Sequence, residues 1–245
     1  MAHSLPLDTE HAAAVHPWHD VSRRLARVAE CAAAADIFGS NGHQWHLEPP
    51  LSITELCEIE NQLSVRLPDE YRSFLLQCSR GGAGPHYGIF PLRKVNGRWH
   101  WEEDCPLNNL TRLNEPFPHI EAFNPVNLAP EEPKKEEFRT EESYQKALEE
   151  WQKQWDEIVY NPNNATGFLY LSHMGCSLRE GIVVTGPAKG LMWIDRMADR
   201  AGYKLLTDDD GKALTFACWY TRWLDGVEKQ LRLVTETEEE TRECK

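Results

Sequence analysis

The stretch LPDEYRSFLLQCSRGGAGPHYGIF, Leu67 to Phe90, decides the fold. Pro68 stands where a helix can begin without giving up a hydrogen bond, and Asp69 and Glu70 place negative charge on the positive end of the helix dipole. Tyr71, Phe74, Leu75 and Cys78 recur at i, i+3, i+4 and i+7, so one helix face is apolar and must be covered. Gly81, Gly82 and Gly84 end the helix, and Tyr87 to Leu92 is expected to return as a strand.

On the N-terminal side, Ser52 and Glu55 form a capping box for a helix over Leu51 to Leu63, with Leu51 and Leu56 at the positions of a hydrophobic staple. Four residues then connect it to the helix at Pro68, making a helical pair that can cover one side of a sheet. Further out, Trp18 to Phe38 reads as a helix with Val21, Leu25, Val28 and Ala32 on one face. On the C-terminal side, Asn96-Gly97 is a hairpin signal, with Trp99 and Trp101 sharing a face of the returning arm. Prolines punctuate the region after Pro106, and Glu141 to Tyr160 reads as a charged helix with Tyr144, Leu148, Trp151, Trp155 and Ile158 at helical spacing. Phe168 to Asp195 supplies three strands of an antiparallel meander, and Phe216, Trp219, Tyr220, Trp223 and Val227 mark a last helix on the same sheet.

The expected organisation is an α+β domain over residues 18–233, an antiparallel-rich sheet covered by helices on one side. A charged helical insert occupies 130–164, with a flexible tail at 1–17 and an acidic tail at 234–245. A net charge of -13 argues against direct nucleic-acid binding, because phosphate contacts need a basic face, and favours a basic protein partner. Seven cysteines without a CxxC spacing suit a reducing, cytoplasmic compartment. No stretch reads as a secretory leader or a membrane span.

Motifs for chemistry are weak. GGAGP follows a helix rather than a strand and lacks the lysine and hydroxyl of a phosphate loop. TDDDG, from Thr207, lacks the ligand spacing of a calcium loop and reads as a turn. His43, His46, His100 and His173 follow no metal-ligand spacing, so no metal or other cofactor is expected. Cys176 follows His173 closely, yet without a third orienting group it reads as a buried cysteine in a turn between strands. Nothing commits the chain to catalysis.

The segment from Phe38 through Leu92 closely resembles the opening of the SUKH superfamily, the Smi1-like group, and GCSLREGIVVTGPAKGLMWID with the tryptophan-rich last helix is similar to its later part. Glu60, Leu67, Pro68, Asp69, Glu70, Tyr71, Phe74, Leu75, Gly81, Gly82, Tyr87 and Gly88 carry the resemblance, joined by Trp193, Trp219 and Trp223 as structural residues. Two departures stand out: Cys78-Ser79-Arg80 replaces a small residue and Asn before the glycine turn, and the insert has no counterpart. The resemblance implies an α+β fold, no catalytic residues, and a non-enzymatic bacterial immunity protein that neutralises a cognate toxin, often a nuclease. The alternative is a regulatory scaffold for an endogenous protein. Candidate partner contacts are Trp99, Trp101, Glu102, Glu103 and Asp104, with Glu141, Glu142, Glu149 and Glu150 of the insert helix.

Overall fold

A computed structural model describes residues 17–102 and 109–243, with side chains from 18 to 232 outside the gap. The helices are α1 (Val21–Ala29), α2 (Ser40–His43), α3 (Ile53–Leu63), α4 (Asp69–Gln77), α5 (Glu141–Val159) and α6 (Phe216–Glu243). A hairpin of β1 (Leu92–Val95) and β2 (Arg98–Trp101) stands apart from an antiparallel sheet of β3 (Phe168–Gly175), β4 (Leu178–Val183), β5 (Met192–Asp195) and β6 (Tyr203–Leu205), ordered as in the chain.

The opening stretch behaves as its residues dictate. Ser52 and Glu55 form the capping box that starts α3. Glu60 accepts the backbone N–H of Leu67 at 2.8 Å and pairs with Arg72, tying α3 to α4. Glu70 accepts the N–H of Ala217 at 2.8 Å, so one acid of the acidic pair satisfies the first turn of α6. Leu67, Tyr71 and Phe74 are fully buried. At the corner, a Cβ on Gly82 (φ 104°) would lie 2.4 Å from the His46 carbonyl oxygen, so glycine is required there on steric grounds as well as by φ. Ser79 holds the corner: its hydroxyl donates to the carbonyl of Glu48 at 2.8 Å and accepts the N–H of Gly81 at 3.0 Å.

Four elements differ from expectation. The strand expected at Tyr87 begins only at Leu92, because His86 (φ 58°) and Gly88 (φ 100°) kink the backbone; the segment instead runs beside β3, with the Phe90 N–H donating to Leu171 at 2.8 Å. The N-terminal helix stops at Ala29, and Ala32–Asp36 resumes as a 3-10 turn. The break shifts phase, bringing Ala34 and Ile37 into the core and leaving Ala32 exposed: packing outweighs alanine's helix propensity. β6 was not anticipated, being three residues long. Finally, α6 continues through the segment expected to be an acidic tail, to Glu243.

The sheet is covered on both faces. Trp219 of α6 donates its indole N–H to the buried Glu180 of β4 at 2.7 Å, and His86 meets the same carboxylate oxygen at 2.9 Å, so helices hold that face. On the opposite face the segment that leads into the insert packs down: Phe117 meets Trp193 edge-on at 5.0 Å and lies 5.5 Å from Phe168. Phe123 exchanges backbone hydrogen bonds with Tyr203 beside β6. The main buried cluster runs from Trp18 to Leu231 and includes Phe117. Among the described residues, no helix is long and apolar enough to cross a membrane.

Candidate functional site

The tryptophans of the hairpin are framework. Trp99 and Trp101 are each 3% exposed. The Trp99 indole donates to Glu58 at 3.0 Å and its backbone exchanges hydrogen bonds with the Gln62 amide, while the Trp101 indole donates to the Tyr71 hydroxyl at 2.8 Å. Their hydrogen-bonding ends face inward to α3 and α4, so the rings lock the hairpin onto the helices and offer no surface to a partner. Glu102 is exposed and pairs with Arg93 at 3.0 Å. Glu103 and Asp104 lie outside the described residues.

The insert helix presents the other candidate face. Thr140 and Ser143 cap the start of α5 reciprocally, and Asn164 donates to the carbonyl of Ile158 at 3.2 Å near its end. Its aromatic stripe packs partly on the arm and partly against the sheet domain: Trp151 donates to the Pro130 carbonyl at 2.9 Å, and Trp155 lies under the guanidinium of Arg200, between β5 and β6, 5.0 Å from the ring. Neither Trp155 nor Val159, though buried, belongs to the main core. The outer face is exposed and carries Glu141, Glu142, Glu149, Glu150, Asp156 and Glu157 against Lys146 and Lys153. Glu141 is partly neutralised by Lys135 at 2.8 Å, whose ammonium holds its carboxyl below the usual range. The structure thus brings the four insert glutamates onto one exposed helix.

Between the end of this helix and the sheet lies a cleft of about 600 Å³. Antiparallel pairing sets Arg179, Asp195 and Tyr203 side by side across β4, β5 and β6, and Tyr170 reaches the same place from β3. Val159, Tyr160, Asn161, Pro162 and Ala165 close one side, and Met197 and Ala198 the other. Asp195 accepts the Tyr170 O–H at 2.6 Å and the Met197 N–H at 2.8 Å. Burial nevertheless pushes its carboxyl above the ordinary range, against the pull of those donors and of Arg179. None of the residues that form this row was singled out in the sequence, where sixteen positions separate Arg179 from Asp195; only the sheet register brings them together.

His43 is buried between Trp45 and Trp223, and His173 stacks on Tyr87 at 4.7 Å. Among the described residues no three metal-ligating side chains converge. Cys176 is in the expected turn between strands but is exposed, not buried, because with Ser177 it occupies the two positive-φ corner positions (48° and 61°) of the β3–β4 turn, which points away from the core. Gly88, Trp193, Trp219 and Trp223 all sit in or against the core, and Tyr87 is half-buried.

Compared with known proteins, residues 50–185, more than half of the chain, match the model of the SMI1 / KNR4 family (SUKH-1). The matched span covers α3, α4, the hairpin, the insert and the first two strands of the main sheet. No curated protein and no solved structure matches the chain.

Proposed function

The chain belongs to the SMI1 / KNR4 family (SUKH-1), and from that membership we propose that it is a non-enzymatic, cytoplasmic immunity protein that binds and neutralises a basic, nuclease-type bacterial toxin. Family membership supports the coarser statement, a protein of the immunity or Smi1-like kind that works through protein–protein interaction. The observation that carries the finer one is the outer face of α5: six carboxylates against two lysines, fixed in place by capping at both ends and by the Trp151 and Trp155 anchors. On a chain of net charge -13, such a face draws in a basic partner and raises the association rate. Among the described residues the cysteines are free and three of them exposed, which fits a reducing compartment.

The test is co-expression of this chain with the toxin encoded beside its gene. Rescue of growth, together with a purified complex, supports the reading. Recovery of endogenous partners alone, with no rescue, transfers support to a regulatory scaffold of the same family.

A further inference from the structure

The position of the Asp195 cleft points to a specific role within such a complex. We infer that the cleft between the end of α5 and β3–β6 receives a lysine or arginine side chain of the protein partner, whose cation pairs with the Asp195 carboxylate. This rests on the reading of the chain as a binder of a basic protein.

The cleft has the form such a side chain needs. Its lining at Val159, Pro162, Ala165, Met197 and Ala198 is aliphatic and suits a methylene stem, and Asp195 lies among its polar groups. There the Tyr170 hydroxyl and the Met197 N–H fix the carboxylate of Asp195, 9% exposed, so no reorganisation is needed on binding. The two tyrosines stay neutral because burial raises both hydroxyls, leaving Asp195 as the anionic group of the row. Burial raises its own carboxyl against the pull of the Tyr170 and Met197 donors and of Arg179 alongside. The cleft also adjoins the C-terminal end of the helix whose outer face carries the acidic residues that would steer a basic partner. A charge pair closed off from water at the centre of an interface is the kind that dominates affinity, whereas rim charges mainly set the rate.

The experiment uses the full chain and two kinds of probe. Titrating it with the N-acetyl amides of arginine, lysine and glutamate, followed by NMR shifts at Tyr170, Asp195 and Tyr203, is expected to show saturable binding of a cationic probe only. Asp195→Asn should abolish that binding. Ala198→Trp, a change on the exposed rim that fills the cleft without touching Asp195, should weaken it too. Against the toxin, Asp195→Asn is expected to reduce affinity by about tenfold or more, mainly through faster dissociation. Absence of cation-selective binding, or equal binding by wild type and both variants, overturns the inference. Neutralisation of the toxin with an unaffected Asp195→Asn variant would remove the cleft and leave the immunity reading intact; cation binding without toxin binding would do the reverse.

Discussion

Tyr71 shows how a single residue joins three elements: buried on α4, it packs 5.0 Å from Phe216 of α6 and accepts the Trp101 indole N–H of the hairpin. Tyr71→Ala should cost about 3 to 5 kcal/mol, since it leaves a cavity the rigid neighbours cannot fill. Tyr71→Phe keeps the ring but strands the Trp101 donor, at about 1 to 3 kcal/mol. Denaturant melts of the two variants separate ring from hydroxyl, and an unchanged Tyr71→Ala midpoint would return this residue to the surface. His43 offers a pH test. Burial pushes its imidazole down to about 4, and the Trp45 N–H donates to its Nδ1 at 3.1 Å. The folded state therefore binds its proton less readily than the unfolded state does. Its contribution is complete above about pH 6.5 and is lost as the pH falls toward 4, a decline of roughly 3 kcal/mol. Urea melts between those limits should show a shallower decline for His43→Gln; parallel curves would refute the assignment. Asp195 acts in the opposite sense: its raised carboxyl favours the fold increasingly as the pH drops through the window between its folded and unfolded values.

At the scale of elements, two glycine turns separate conformation from contact. Gly97 (φ 76°) closes the β1–β2 hairpin with open space where a Cβ would stand, so Gly97→Ala should cost only the left-handed backbone penalty, about 1 to 2 kcal/mol. Gly82 adds a direct clash with the His46 carbonyl, the acceptor of the Ala83 N–H at 2.7 Å. Gly82→Ala must displace the corner that joins α4 to the sheet, at a cost on the order of 3 kcal/mol or more. Thermal unfolding of both checks the order, and equal losses would mean the corner tolerates movement. Most of these elements were legible because their signals are local: the capping box, the Pro68 start, the glycine corner and the Asn-Gly turn each need only a few neighbouring residues. The end of the N-terminal helix is not legible in the sequence because the alanine run has high propensity but no large side chains, so burial of Ala34 and Ile37 decides its phase. The hairpin tryptophans were misjudged because alternation says which residues share a face, not what covers it.

Over the whole molecule, charge and fold are separable. Glu149→Lys with Glu150→Lys reverses two exposed charges of α5 that lie outside the main core, so the melting temperature should move little. Association with a basic partner should slow severalfold at low salt and by less at physiological salt, as screening shortens the reach of the field. Stopped-flow rates across a salt series test this, and a rate that ignores both the substitutions and the salt would remove charge steering from the mechanism. The sequence by itself determined the family, the order of most elements and the acidic character, since these depend on residue types at short spacing or on a simple sum of charges. Only the tertiary structure decided that the segment leading into the insert covers the second sheet face, that Trp99 and Trp101 are spent inside the framework, and that Tyr170, Arg179, Asp195 and Tyr203 meet in one cleft. The physical reason is register: strand pairing sets Arg179, Asp195 and Tyr203 from three strands in one row, with Tyr170 reaching in from the fourth, and which segments pair is fixed by how the whole chain buries its apolar surface.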